Sequence, residues 1–448
     1  MAVLLLALGL AACGGDDADA PAAADPDDTA GDTAQAEDEA DTEPADDEAE
    51  PTDAADDTGA TGGEGADDDA DDPADGEPIV IGLLPTLTGP TAALGQLFTD
   101  GATAAVEHVN AQGGVLDGRP LELQTVDTAG DPTQAASGAR QLIQDGVVGI
   151  IGSSLSGEFL AEAPIIDEAG IPTLTSATAN SIWEAGANPW AFSTGESGDL
   201  NVGTAAQYLL DTAGVEEIGI IYEDGAFGQE AAEAAEALLA EEGAEAVAVV
   251  NFPPNATDVT GQLNQLQDAG ATGLMYWGLG PGLVRTLQGL ETLGWEVPTT
   301  APAVIGEAGV RESVGEETLA QAVGVPIPLA FLSDEPGTPG PETTDLTQAF
   351  FDRFGQMFGE EKLQGEHLNA SLWADGVFIL AEAIDRAGST DPEAIREALE
   401  SGEPFQVTRG TRTYTPDDHV GITLDQLSGF NAGQQCQGTC AAPEGLFD

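Results

Sequence analysis

Basic residues are scarce in this chain of 448 residues: nine Arg and a single Lys, Lys362, stand against 81 Asp and Glu, for a formal charge of -71. Such a surface repels phosphate backbones, which excludes a nucleic-acid binder. No stretch approaches 18 uninterrupted apolar residues, so no transmembrane helix is predicted. Of the three cysteines, Cys13 stands alone and Cys436 and Cys440 lie close together with no His between them. That pair has too few ligands for zinc. No P-loop, HExxH pair or GxGxxG fingerprint after a strand occurs either, so no cofactor or metal is expected.

The acids are unevenly spread. Residues 14–78 hold 27 of them with no Lys or Arg, no aromatic and no large aliphatic residue, so that segment cannot bury a core and reads as a disordered acidic linker. The body from Ile79 onward is still 44 charges negative. In dilute salt that excess costs self-repulsion, and in strong salt it keeps the surface hydrated, which is a halophilic signature. Because 41% of the residues are apolar, the body has enough material for more than one core.

From Ile79 the hydrophobic pattern alternates between strand and helix. The apolar run Ile79–Leu84 precedes a turn at Thr88–Pro90 and a helix with Ala102, Ala105, Val106 and Val109 on one face. Leu121–Thr125 reads as a strand, and Asp131-Pro132 opens the next helix as N-cap and first-turn proline. Val147–Ile151, a helix over 161–169 and a strand over Ile171–Thr175 follow. A second series has strands at Ile218–Tyr222, Ala246–Val250 and Leu274–Trp277, with helices over 229–242, 259–269 and 283–293. Residues 344–401 return to helix, and the tail from Phe405 reads as short strands and turns. Two such series predict an α/β protein with two doubly wound parallel-sheet lobes.

The first residues carry an address. Val3–Leu10 is a short apolar run followed by Leu10-Ala11-Ala12-Cys13-Gly14-Gly15, which resembles a bacterial lipobox. The resemblance implies a lipoprotein signal peptide over 1–12, cleavage before Cys13 and acylation of its sulfur. The chain would then touch lipid only through that anchor, on the outer side of the cytoplasmic membrane, at the cell surface or periplasmic side. In that oxidising setting Cys436 and Cys440 read as a small disulfide loop.

The blocks IVIGLLPTLTGPTAALGQ, EHVNAQGGVLDGRPLELQTVDTAGDPTQAA, IIGSSLSGEFLAEAPIIDEAGIPTLTSATANS and IIYEDGAFGQEAAEAAEALLAEEGAEAV, in that order, resemble the branched-chain amino-acid binding protein family. The family supplies the extracellular substrate-binding components of ABC importers, with a type I periplasmic-binding fold. The resemblance, over about residues 79–430, implies two lobes joined by hinge strands that close on a small ligand, a monomer, and permease subunits as partners. It places lobe 1 at 79–197 and 327–402, and lobe 2 at 198–326 and 403–448.

In open parallel sheets a ligand sits beyond the carboxyl ends of the strands. Gly152–Gly157 and Ser176–Asn180 follow two such ends. By resemblance, Leu155 and Ser156 with Ala177, Thr178 and Ala179 bind a ligand carboxylate and ammonium. Phe227 stands where the family has Tyr, Leu94 and Leu279 where it has aromatics, and Ala179 where it has Thr. Trp277 has two possible uses, stacking on a ligand or packing the sheet end. Ala303 falls where the family keeps the acid that pairs with the ammonium, with Glu307 and Glu223 as candidate replacements. Aliphatic amides, short carboxylates and aromatic acids therefore stay open beside amino acids. Two other classes compete: a ligand-sensing ectodomain, which shares the fold, and a hydrolase. Gly152-Ser153-Ser154-Leu155-Ser156 lacks the closing glycine of a nucleophile elbow.

Two outcomes are expected. Cys13→Ser should move the protein from the membrane fraction to the soluble fraction, and continued retention would defeat the anchor. Screening lengths fall from about 10 Å at 0.1 M salt to about 3 Å at 1 M, so the melting temperature of the body should rise between them; an unchanged value would refute a salt requirement.

Overall fold

The computed structural model describes residues 76–443 and Leu446; the signal peptide, Cys13 and linker residues up to 75 lie outside the described residues. Gly76 to Pro78, expected as the linker's last residues, are tied to the body. The Gly76 amide donates to Gly118 O at 2.7 Å, and Arg119 Nε donates to Glu77 O at 2.8 Å.

The first sheet is wholly parallel. It contains β1 (Ile79–Leu83), β2 (Leu121–Thr125), β3 (Gly149–Ile151), β4 (Thr173–Thr175) and β5 (Ala191–Ser193), in the order β2-β1-β3-β4-β5. Helices α1 (Ala92–Ala111), α2 (Pro132–Asp145) and α3 (Ser156–Ala169) connect its strands, followed by the single turn α4 (Asn180–Trp183). Asp131 caps α2 as its sequence suggests, accepting from the amides of Thr133 and Gln134 at 2.9 Å each.

The chain crosses after β5 to α5 (Gly198–Gln207) and the second sheet. There β6 (Glu217–Glu223), β7 (Glu245–Phe252), β8 (Gly273–Trp277), β9 (Thr299–Pro302) and β10 (Ala322–Pro328) are parallel, and Leu427–Asn431 adds an antiparallel edge beside β10. Helices α6 (Ala226–Glu241), α7 (Thr260–Asp268) and α8 (Pro281–Leu293) link its strands.

After β10 the chain returns, and the helix Glu366–Ala387 lies along α1. The two helices approach so closely at Gly101 that a Cβ there would fall 1.9 Å from Ala370 O. Trp373, fully buried, stacks on Phe98 with ring centroids 5.2 Å apart. The chain reaches the second sheet again at Leu427, its third passage between the sheets.

The segment from Phe405 is divided between the two sheets rather than following the second throughout. The hairpin of Phe405–Val407 with Gly410–Arg412 packs on the helix Glu366–Ala387, and Tyr414 Oη and Arg412 Nη2 donate to the Ser193 and Thr194 carbonyls. Only Leu427–Asn431 joins the second sheet. Cys436 and Cys440 form a disulfide, and Cys440 pairs with the short strand at Leu332.

Among the described residues four strands escape the sequence pattern: β5, β9, β10 and the two-residue strand Leu332–Ser333. The first has three residues, too few to display a period, while β9 and β10 carry Pro302, Pro326 and Pro328, which argue against a strand when read locally. Parallel strands buried on both faces read as apolar runs, and β10 has all seven residues buried.

Candidate ligand-binding site

Parallel order sends the carboxyl ends of β3 and β4 to one edge of the first sheet, with the loops Gly152–Leu155 and Ser176–Ala179 beyond them. A hydroxyl joins these loops. Ser156, the first residue of α3 and buried, accepts through Oγ from the amides of Thr178 at 3.2 Å and Ala179 at 3.1 Å. Its own proton remains to be donated. Thr175 Oγ1 donates to Ser153 O at 2.7 Å and accepts from the Ala177 amide at 3.1 Å, so β4 braces both loops from behind.

A cavity of about 600 Å³ opens above these loops. Leu155, Ser156 and Thr178 line it from the first sheet, and Glu223, Phe227, Leu279 and Arg285 from the second. A deeper chamber of about 90 Å³ shares Ser154, Thr178, Phe227 and Leu279 with it. Of the eight expected ligand-binding residues, Leu155, Ser156, Thr178, Phe227 and Leu279 therefore come together. Ala177 and Ala179 are buried and line neither cavity; their amides donate to Thr175 Oγ1 and Ser156 Oγ. Trp277 also lines neither: it is fully buried in β8, edge-on to Phe227 with centroids 6.3 Å apart. Another depression, about 490 Å³, lies around Leu290–Val297 and Gly315–Gln321 at the opposite end of α8 from the cleft.

Sequence reasoning missed the charged wall of the deep chamber. Glu196 and Arg409, 5% and 6% exposed, form an ion pair with Nη2 to Oε1 at 2.7 Å. Arg409 Nη1 also donates to Leu368 O at 2.9 Å and Ser371 Oγ at 3.2 Å. Its backbone is set by Asp375, which accepts from the Thr408 amide at 2.8 Å and the Arg409 amide at 3.3 Å. Burial pushes the Asp375 carboxyl up to about 6, against the Thr408 hydrogen bond and the two arginines that pull it down. One signal was present: Arg409 and Arg412 are two of only nine arginines, three residues apart.

The candidate replacement acids are placed differently. Glu223 lines the larger cavity, its carboxyl raised by burial and lowered by Arg285. Glu307 lines neither cavity; it accepts from Asn369 Nδ2 at 2.9 Å, and desolvation together with Glu366 pushes it up to about 8. Two more acids are held on α3: Glu158, buried yet lining the larger cavity, and Glu162 behind the β3 loop. Glu158 accepts from Thr86 Oγ1 at 3.2 Å, and Glu162 accepts from Ser153 Oγ. Burial drives Glu162 up to about 8 although the Ser153 bond opposes it.

Residues 78–424 match the model of the family described as periplasmic binding protein. The chain belongs to that family. Among its relatives, a Leu/Ile/Val-binding protein homologue of Brucella melitensis is 28% identical over 75% of this chain and 87% of its own length. Two solved structures share the architecture. A branched-chain amino acid transporter substrate-binding protein of Streptococcus pneumoniae, in complex with isoleucine, has 20% identity and a TM-score of 0.69 over 80% of this chain and 98% of the other. An ABC-transporter solute-binding protein of R. palustris, in complex with 4-hydroxybenzoate, has 21% identity and a TM-score of 0.65 over 77% and 90%. Likeness at that level shows the type I periplasmic-binding fold. Members of this family bind rather than transform, so a hydrolytic role for the Ser153–Ser156 loop is set aside. Among the described residues no helix is long and apolar enough to cross a membrane.

The buried acid behind the loop sets a pH dependence. An ordinary glutamate releases its proton near pH 4.5, whereas native Glu162 holds it to about 8. Between those values the native state binds more protons than the unfolded one, so this group lowers stability as pH rises, by about 1.4 kcal/mol per pH unit. Glu162→Gln should therefore flatten the fall in melting temperature from pH 5 to pH 8; a variant that declines as steeply as the wild type would show that Glu162 ionises freely in the native state.

Proposed function

We propose that this protein is the extracytoplasmic solute-binding component of an ABC importer, which captures a small amino acid or a related small polar solute and delivers it to permease subunits. The observation that carries the reading is the cavity between the two sheets: polar loop groups at the ends of β3 and β4 face Phe227 and Leu279 from the second sheet. Such a site satisfies a ligand's polar head from one side and its apolar part from the other. A ligand held by both closes them together, the usual motion of binding proteins. The moving bodies are residues 79–197 with 327–402, and 198–326 with 403–448, except that the hairpin over 405–412, Tyr414 and the disulfide loop at Cys436 and Cys440, which pairs with Leu332, travel with the first.

Ser156 is the carboxylate donor in this reading, with the amide-rich loop of Leu155 and Ala177 to Ala179 around it. Phe227 and Leu279 pack on the apolar part of the solute, and Trp277 supports Phe227 from behind. The protein acts as a monomer, needs no cofactor, and is held at the outer face of the cytoplasmic membrane by a lipid on Cys13. A second reading, an aromatic or short carboxylic acid as solute, is favoured by Ala303, which puts no carboxylate where the family keeps one.

A thermal-shift panel of amino acids, amides and small organic acids in high salt tests the reading. A micromolar ligand at millimolar concentration should stabilise by about 4 kcal/mol. For the ligand so found, Ser156→Ala should weaken binding roughly 10- to 150-fold, the loss of one charge-assisted hydrogen bond. Because the same hydroxyl holds the Thr178 and Ala179 amides, the variant should also lose about 1–3 kcal/mol of stability. Unaltered affinity would move the carboxylate elsewhere, and chemical turnover of the ligand would overturn the binding role.

A further inference from the structure

Glu196 stands on the first passage between the sheets, between β5 and α5, where Gly195 lies against the Ser176 loop: a Cβ on that glycine would be 3.5 Å from Ser176 Cα. Its carboxylate is almost fully buried and lines the chamber of about 90 Å³, room for roughly three waters. Only one of its oxygens is used. Oε1 accepts from Arg409 Nη2, and no hydrogen bond to Oε2 occurs among the described residues. The pair is therefore single and not the two-pronged fork that arginine makes when it saturates a carboxylate. Arg409 cannot swing to complete the fork without giving up Leu368 O and Ser371 Oγ, which hold its other terminal nitrogen. Oε2 is thus an open acceptor on a residue that lines the small chamber, available to a ligand that brings N–H groups.

We infer that Glu196 receives the cationic nitrogen of the solute, and that the deep chamber thereby selects an amine-bearing ligand over its deaminated counterpart. The inference rests on the binding-protein reading above and narrows its ligand class. Arg409 acts as a positioning residue, fixing the Glu196 rotamer while leaving Oε2 available. Thr178 lines both cavities, so one small molecule spans from Glu196 to the Ser156 loop. Ala303, in the same chamber, needs no acid once Glu196 supplies one.

The test is calorimetric titration of the full chain in high salt with L-leucine and L-alanine, each paired with its deaminated acid, 4-methylpentanoate or propanoate, and with 4-hydroxybenzoate. Wild type should prefer the better amino acid over its acid by roughly 10- to 150-fold, and Glu196→Gln should abolish most of that preference. Glu196→Asp keeps the charge and should retain part of the preference; it stands in for Glu196→Gln if that variant fails to fold. Equal wild-type affinity for amino acid and acid, tighter binding of 4-hydroxybenzoate than of either amino acid, or a preference that survives in Glu196→Gln would overturn the assignment while leaving a binding protein. Wild-type binding of none of the five compounds would count against the parent reading of a small amino or organic acid as solute, and against this assignment with it.

Discussion

The cleft depends on a single hydroxyl. Ser156 Oγ accepts the Thr178 and Ala179 amides at 3.2 and 3.1 Å and so binds the loop after β3 to the loop after β4. Neither loop has the strand ladder to hold it, since both lie beyond the last paired residues of the sheet. Without that junction the buried Ala179 amide and the half-buried Thr178 amide would lack partners and the polar wall of the cavity would lose its shape. The parallel sheet makes the junction possible because only parallel neighbours deliver consecutive loops to the same edge.

Around this point the chain spends its few cations economically. An acid-rich surface does not need arginine for solubility, yet Arg409 and Arg412 are buried next to Asp375 and the crossing segment Thr194–Glu196. Burying a guanidinium is tolerable when most of its N–H groups find acceptors, and here the terminal nitrogens reach Leu368 O, Ser371 Oγ, Glu196, Val420 O and Thr194 O, while Nε of both arginines is left without a partner. The result ties the helix Glu366–Ala387, the tail hairpin and the first crossing into one body.

Legibility followed periodicity. The strand-helix alternation of β1 to β4 and β6 to β8 was visible because each strand is an apolar run and each helix has a small-residue face; the Asp131-Pro132 cap was visible because capping is a local matter. β9 and β10 were invisible because their prolines contradict a strand locally, while their backbone partners come from residues far away in sequence. Of the site, the β3 and β4 loops with Phe227 and Leu279 were legible through position after strands and through resemblance. Glu196 and Arg409 were not: 213 residues separate them, and nothing in either neighbourhood signals the other.

By itself, then, the sequence determined the parts that rest on local chemistry: an acidic segment unable to build a core, two alternating series that must fold as parallel sheets, and small polar residues at strand ends. Tertiary structure alone decided which side chains face the cavities. It buried Trp277 behind Phe227, removed Glu307 from the cavity wall, and set Glu196 against Arg409, because these outcomes depend on distances between segments that meet only when both sheets and the three crossings are in place.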